Sequence, residues 1–351
     1  MDTPNLNTRS HVSASLLTRR GLAALLGGAG LTAQVVADAA SKRKKRKNKK
    51  KKKRNKKTTP ITPAVATFCL NGETVQRPVN DTAGVIADGA FTGACPQDTC
   101  AGGCAAGQVC HAGTCKACTV TCGSATPAQC GNVLQSALNA GGEVIACPGR
   151  YAGGFATLSA VTLIGAGAGS NPATSTVLDG GNTQQILAVT TNVNFVAHQV
   201  RFTGGNAASG GAIVTNGGVS LTSCVVNSNT STGSGGGIYQ HSTATAGISL
   251  ANSVFSGNSS GGDGGGVYAL SAFFPLMVAS SVFIGNSASQ RGGAISRGSG
   301  QLTLDSASRI TGNIATLAGG ALDAPSSTEL NGALIFGNSS PQCTGGVICP
   351  E

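Results

Sequence analysis

The sequence contains no tryptophan, and aromatic residues make up only 4% of its 351 residues. Charged residues are also scarce, at 11%, whereas glycine occurs 53 times. Because so few side chains are large, the chain cannot fill one thick hydrophobic core, which excludes an ordinary globular domain of this length. The composition instead indicates burial spread over many small, similar contacts, as in a stacked repeat.

Acidic residues are few, and the formal charge of +11 comes from one segment, because 14 of the 24 Lys and Arg residues lie between Lys42 and Lys57. After Lys57 there are 7 basic and 11 acidic residues, so the remainder is mildly acidic. Residues 41–66 are predicted to be a disordered polybasic linker. The lysines either bind a polyanionic surface or form only a solvated linker, and no specific nucleic-acid binding is expected because no aromatic residue interleaves them.

Residues 1–40 read as a signal peptide, with Arg19-Arg20, an apolar stretch from Ala23 to Val36 and a small-residue cleavage site at Ala37-Asp38-Ala39. The paired arginines resemble the twin-arginine export signal. The apolar stretch is shorter than the roughly 20 residues of a membrane-spanning helix. We therefore predict an exported protein, extracellular or associated with the cell surface, without a transmembrane segment in the mature chain.

Ten of the 13 cysteines lie between Cys69 and Cys147. Such a density is typical of disulfide frameworks outside the reducing cytoplasm. Residues 67–122 are accordingly predicted to be a cysteine-rich segment whose disulfides supply the order that a core cannot. The sequence does not reveal the pairing, and the odd count leaves one thiol, for which Cys224 is the best candidate.

A metal site is the alternative for part of this segment. Cys115 and Cys118 form a Cys-x-x-Cys pair, and Cys110 and His111 are nearby. Because no second pair completes a zinc ligand set, no metal is predicted. A nucleotide cofactor is not predicted either, because the glycine-rich residues 165–169 are followed by Ser-Asn-Pro where a helix would have to begin.

Gly-Gly pairs recur through the last part of the chain, each leading into a short β-type run. They stand at Gly210-Gly211, Gly236-Gly237, Gly265-Gly266, Gly292-Gly293, Gly319-Gly320 and Gly345-Gly346. A second run with alternating apolar residues follows, and a third run ends on an asparagine. The asparagines are Asn229, Asn258, Asn286, Asn313 and Asn338.

Three short strands per repeat describe one coil of a solenoid, in which each strand pairs with the same strand of the next coil. The fold class predicted is all-β: a single-stranded right-handed parallel β-helix of about 27 residues per coil, spanning residues 123–351. The asparagines are expected to form a hydrogen-bonded ladder. Residues 132–139 read as an amphipathic helix that caps the first coil, and Cys343 and Cys349 are expected to close the other end.

The Gly-Gly-Ala-Ile and Phe-x-x-Asn elements, at Gly210 to Ile213, Gly292 to Ile295, Phe255 to Asn258 and Phe283 to Asn286, resemble the repeats of polymorphic outer-membrane proteins. This resemblance implies an exported β-helix repeat protein with a pectin lyase-like fold, and it implies adhesion at a cell surface. Those relatives usually carry a C-terminal membrane barrel. We do not expect one in this sequence, so outer-membrane anchoring of that kind is not carried over.

Catalysis has to be argued from a site, because many β-helix proteins cleave polysaccharides and others do not. The repeats contain Asp263, Asp305, Asp323 and Glu329, which are spread over several coils. The best constellation combines Arg297 with Asp323 on adjacent coils, and it has His241 on the same face. A surface ion pair is the favoured explanation of Arg297 and Asp323, and an isolated exposed histidine is that of His241. The three residues stay weak catalytic candidates, and no catalytic residue is predicted.

The sequence therefore predicts a surface-associated repeat protein that adheres to a carbohydrate or another cell-envelope polymer through a stacked Ser/Thr/Asn-rich face. A polysaccharide lyase or hydrolase is the alternative from a different class. A purely structural spacer is the third interpretation.

Overall fold

In the computed structural model the chain divides into two units, residues 1–61 and residues 62–351. The structure describes Cys100, residues 103–349 and three upstream strands, all in the second unit. The predicted signal peptide, with its twin-arginine motif, and the segment between Lys42 and Lys57 lie outside the described residues and stay predictions.

The three upstream strands form a small antiparallel sheet. They are β1 (Val65–Leu70), β2 (Glu73–Pro78) and β3 (Phe91–Thr92), in the order β2-β1-β3.

A disulfide-rich segment precedes the solenoid. Its hairpin consists of β4 (Gln108–His111) and β5 (Thr114–Ala117), and the two turn residues, Ala112 and Gly113, both have positive φ, as tight hairpins require. Its disulfides are Cys100–Cys110, Cys104–Cys115, Cys118–Cys147 and Cys122–Cys130. The predicted disulfide framework is therefore confirmed, and two of its links join the segment to the first coil and to the helix.

One helix, α1 (Pro127–Ala140), occurs among the described residues and packs on the first three strands of the solenoid. Thr126 and Gln129 form a reciprocal capping box at its start, and Pro127 occupies the first turn. Leu134 and Leu138 are fully buried against the first coil. The predicted cap is confirmed, and it begins earlier than residue 132. No helix in the described part of the chain is long and apolar enough to cross a membrane.

The solenoid strands form three long parallel sheets and one short one. Sheet 1 consists of β6 (Gly142–Ala146), β9 (Val161–Gly165), β12 (Asn194–His198), β16 (Gly218–Thr222), β20 (Ile248–Ala251), β24 (Leu276–Ala279) and β28 (Leu302–Leu304).

Sheet 2 follows sheet 1 in each coil. It consists of β7 (Gly149–Ala152), β10 (Thr176–Asp179), β13 (Val200–Thr203), β17 (Val225–Asn227), β21 (Val254–Ser256), β25 (Val282–Ile284), β29 (Arg309–Thr311) and β32 (Leu334–Phe336).

A short corner sheet then leads to sheet 3. The corner sheet consists of β14 (Asn206–Ala207), β18 (Thr230–Ser231), β22 (Ser259–Ser260), β26 (Ser287–Ala288) and β30 (Ile314–Ala315). Sheet 3 consists of β8 (Phe155–Thr157), β11 (Leu187–Val189), β15 (Ile213–Thr215), β19 (Ile238–Gln240), β23 (Val267–Ala269), β27 (Ile295–Arg297), β31 (Leu322–Asp323) and β33 (Cys343–Thr344).

Equivalent residues of successive coils stack in register, and the asparagine ladder shows this most clearly. The side-chain Nδ2 of Asn229, Asn258, Asn286 and Asn313 donates to the Oδ1 of the next asparagine at 2.9 Å in every case. The steps are 29, 28, 27 and 25 residues, which confirms a coil of about 27 residues. The first four asparagines are fully buried, so each amide serves its neighbours rather than solvent.

The interior is a narrow stack of apolar columns. Phe255 and Phe283 lie on adjacent strands of sheet 2 with their ring centroids 4.7 Å apart and nearly parallel. The Gly-Gly pairs have two separate tasks. In the pair Gly292-Gly293, Gly292 has a φ of +65°, which glycine adopts without strain, and a Cβ on Gly293 would meet the carbonyl oxygen of Gly320 in the next coil.

The free thiol predicted from the odd cysteine count is confirmed. Cys224 is fully buried and is the free cysteine among the described residues. It continues a column of serines: Ser253 Oγ accepts the backbone N–H of Cys224 at 3.2 Å, and Ser281 Oγ accepts that of Ser253 at 3.1 Å. Cys343 and Cys349 form a disulfide at the last strand of sheet 3.

Candidate functional site

Two tyrosines stack on the outer surface of sheet 3. Tyr239 on β19 is in register with Tyr268 on β23, and their ring centroids are 5.6 Å apart. The ring of His241 packs edge-on against Tyr239 at 4.9 Å and extends the surface. Because parallel strands align equivalent residues, two tyrosines at the same position of successive coils form one continuous aromatic surface.

A cleft of about 410 Å³ lies beside Tyr268. The tyrosine column continues into it through Ser296 on β27 and Asp323 on β31, because Tyr268 is in register with Ser296 and Ser296 with Asp323. We call this feature the sheet 3 cleft and define it by its polar lining, which is Asp263, Tyr268, Gln290, Arg291, Ser296, Arg297 and Asp323.

Asp263 and Arg291 enter the cleft from the turn that follows the corner sheet. The backbone N–H of Arg291 donates to Asp263 Oδ1 at 3.0 Å, and the backbone N–H of Asp263 donates to Ser234 Oγ at 3.1 Å. The carboxylate is therefore held by the coil that follows it. Asp323 is held similarly, since Thr344 Oγ1 donates to its Oδ1 at 2.8 Å.

The negative charge of Asp323 acts on the carboxyl group of Asp263. Burial raises the pKa of Asp263 above its usual 3.8, the N–H bond from Arg291 lowers it, and the negative charge of Asp323 raises it again. Burial also raises the pKa of Tyr268, and the charges of Asp263 and Asp323 add to that effect. The cleft thus combines two acids, two arginines and an aromatic wall.

The structure corrects the predicted pairing of Arg297 with Asp323. Arg297 is in register with Ala269, and Asp323 is in register with Ser296, so the two side chains belong to adjacent columns that face opposite sides of sheet 3. Arg297 is only 2% exposed, and it forms no salt bridge in the part of the chain that the structure describes. The surface ion pair predicted for these two residues is therefore wrong.

Arg297 instead supports a loop. Its guanidinium donates to the carbonyl oxygens of Ser271 at 2.8 Å and Phe274 at 2.6 Å, and to Gln240 Oε1 at 3.3 Å. Burial lowers its pKa to about 10. Although Arg297 borders the cleft, its terminal N–H groups are engaged in the corner between sheets 3 and 1. His241 packs on Tyr239, so it belongs to the aromatic surface rather than to a constellation with Arg297.

The four acids of the repeats divide into two kinds. Asp305 accepts hydrogen bonds from Ser280 and Ser308, and Glu329 accepts one from Gln301, so both serve local structure. Asp263 and Asp323, by contrast, line one cleft, which the expectation of dispersed acids missed. The signal that could have found Asp323 is its position, because it occupies the same place in its coil as Tyr239 and Tyr268 occupy in theirs.

The asparagine ladder and the serine column are buried, so they do not belong to the polar binding face that the sequence predicts. The sulfurs of Cys100, Cys104 and Cys115 lie within 4.8 Å of one another. All three belong to disulfides, and Cys110 and Cys118 do as well, so these sulfurs offer no thiolates to a metal.

Comparison with known proteins identifies one similarity. The sequence model of the Chlamydia polymorphic membrane protein repeat matches residues 223–240, 252–270 and 280–296. These segments begin at a strand of sheet 2 and end in sheet 3 in three successive coils, and they contain Tyr239, Asp263, Tyr268 and Arg291. No curated protein and no solved structure matches the chain.

Proposed function

Because the chain is a parallel β-solenoid built in part from polymorphic membrane protein repeats, we propose that it is a surface-associated, adhesin-like protein. Its sheet 3 cleft binds a carbohydrate chain of the cell envelope or its surroundings. The observation that carries this proposal is the Tyr239–Tyr268 surface, which leads directly into a cleft lined by carboxylate, amide, hydroxyl and guanidinium groups.

The aromatic surface suits a sugar ring. A pyranose has an apolar face of C–H groups, which packs on a tyrosine ring, and a rim of hydroxyls, which needs both donors and acceptors. Asp263 and Asp323 accept, Arg291 donates, and Gln290 and Ser296 do both. Half-buried tyrosines also lose little conformational freedom on binding, which favours affinity.

The charged groups that the cleft offers to a ligand favour neutral over acidic sugars. Two carboxylates and two arginines line the cleft, but the guanidinium of Arg297 is buried and bonded to backbone carbonyl oxygens, so a ligand meets two carboxylates and only the Arg291 guanidinium. A polyuronate would bring further negative charge to this place, whereas a neutral chain would not. Binding to acidic polymers is therefore assigned to the residues between Lys42 and Lys57, whose electrostatic attraction weakens as salt rises.

A second candidate function rests on the same two acids. Glycoside hydrolysis uses two carboxyl groups in one cleft, and Asp263, whose pKa burial raises in the direction that a general acid needs, lines the same cleft as Asp323. In this mechanism Asp263 would protonate the leaving oxygen, and Asp323 would act as base or nucleophile. We rank it second because binding requires only the surface and the polar groups.

The test is a screen of the oxidised, exported form against neutral and acidic polysaccharides, with and without residues 42–57. The proposal predicts that neutral-polymer binding survives deletion of the basic segment and that acidic-polymer binding is lost with it. Release of new reducing ends, abolished by Asp263→Asn, would favour the hydrolase. Absence of any binding to the shortened protein would leave the solenoid as a structural spacer and refute the proposal.

A further inference from the structure

Two histidines meet where the disulfide-rich hairpin packs on the solenoid. His111 ends β4, His198 ends β12, and their ring centroids are 4.7 Å apart with an angle of 57° between the planes. The joint itself is apolar, because Val109 of the hairpin is buried against Ile145 and Ile164 of sheet 1. The pair lies outside the sheet 3 cleft and takes no part in the proposed function.

One nitrogen of this pair stands out. The Nδ1 atom of His111 is buried and has no hydrogen-bond partner among the described residues. A buried polar atom in this state destabilises the fold, and a bound ion is one of the ordinary explanations. Imidazole nitrogen is also the commonest protein ligand of zinc and of related transition metals.

The ring separation is compatible with a shared ion. A zinc–nitrogen bond of about 2.0–2.1 Å places the metal about 3.2 Å from each ring centroid. Two centroids 4.7 Å apart then subtend an angle of about 95° at the metal, between the octahedral and tetrahedral values. Apart from the disulfide-bonded group of Cys100, Cys104 and Cys115, the described residues contain no cluster of three His, Cys, Asp or Glu, so water would complete the coordination.

We propose that His111 and His198 together bind one divalent transition-metal ion of the zinc type. The two ligands come from separate parts of the chain, one from the hairpin and one from the third strand of sheet 1. An ion held between them therefore links the disulfide-rich segment to the solenoid and stabilises their docking. Metals that prefer oxygen ligands, such as calcium and magnesium, do not bind at this pair.

The test uses the oxidised, untagged mature protein and titration calorimetry with zinc chloride. We expect one zinc ion per chain, at least tenfold weaker binding in His111→Gln and in His198→Gln, and unchanged binding in His241→Gln, which removes a histidine far from the pair in sequence. Calcium chloride should give no binding signal. Far-UV circular dichroism of each variant establishes that it is folded.

A second readout keeps the test decisive if a variant folds poorly. Zinc should raise the thermal midpoint of the unmodified protein, and it should slow tryptic cleavage at Lys116, which lies in β5 of the docked hairpin. Absence of zinc binding at millimolar concentration would overturn the proposal. So would zinc binding of equal strength in the two single variants and the unmodified protein.

Discussion

Removal of one central asparagine should be far more costly than removal of the last one in the same ladder. Asn286 is fully buried, and its Oδ1 accepts the backbone N–H of Asn258 at 3.1 Å and the side-chain amide of Asn258 at 2.9 Å. Its own amide donates to Asn313 Oδ1 and to the carbonyl oxygen of Phe255. In Asn286→Ala, two buried donors of Asn258 therefore lose their acceptor.

Each orphaned donor costs about 1–3 kcal/mol, so we expect a loss of about 2–6 kcal/mol in the free energy of unfolding. The matched control is Asn338→Ala. Asn338 Oδ1 also accepts two bonds, from the backbone and side chain of Asn313, but Asn338 is partly exposed. Water can replace it there, and the expected loss is about 0.5–1.5 kcal/mol.

The measurement is urea unfolding followed by far-UV circular dichroism, with tyrosine fluorescence as a second probe because tryptophan is absent. Coincident transitions and equal slopes are needed before the midpoints are converted into free energies, since stacked repeats can lose cooperativity. Equal losses in the two variants, or a loss below about 1 kcal/mol for Asn286→Ala, would refute the reasoning that buried ladder bonds hold the coils together.

Three further predictions follow from other columns. Burial raises the pKa of Cys224 from 9.0 to about 12, so the folded state keeps the thiol protonated while the unfolded chain ionises, and stability is lost as pH rises above 9. Between pH 8 and 10.5 the free energy of unfolding of the unmodified protein should fall by about 2 kcal/mol relative to that of Cys224→Ser, as measured in paired urea titrations. A difference between the two proteins that stays constant over this pH range would contradict the prediction. Arg297→Met should lower the free energy of unfolding by about 1–3 kcal/mol and speed amide exchange in residues 270–274, whereas unchanged exchange there would show that the arginine does not support the loop. Gly264→Ala should lower the thermal midpoint at least twice as much as Gly257→Ala, because both have positive φ but only the added Cβ of the first meets the backbone; equal shifts would argue against close coil packing.

The repeat pattern predicts the fold well because a solenoid uses each residue type for one physical task. Buried asparagine, the Phe255–Phe283 column and the paired glycines recur at coil spacing, and each has the environment that its chemistry requires. The capping helix follows from its amphipathic pattern and from the need to cover an open apolar end. The disulfide pairing did not follow, because spacing alone leaves many pairings open.

The site was harder to predict because its side chains depend on register. Arg297 stands five residues after Gly292, whereas Asp323 stands only four residues after Gly319. A difference of one residue moves a side chain to the other face of the sheet, which is why Arg297 and Asp323 were wrongly paired. Asp263 was missed as a neighbour of Asp323 because it enters the cleft from a turn two coils before the strand that carries Asp323.

The most direct test of the account is the affinity of the protein lacking residues 42–57 for the neutral polysaccharide that it binds best, measured for the unmodified cleft and for a Tyr239→Ala/Tyr268→Ala variant. The surface variant Met277→Ala on sheet 1, whose side chain is about half exposed, serves as the control. The account predicts at least a hundredfold loss of affinity for the double tyrosine variant and no change for the control. Undiminished binding by the folded double variant would contradict the claim that the sheet 3 cleft is the carbohydrate site.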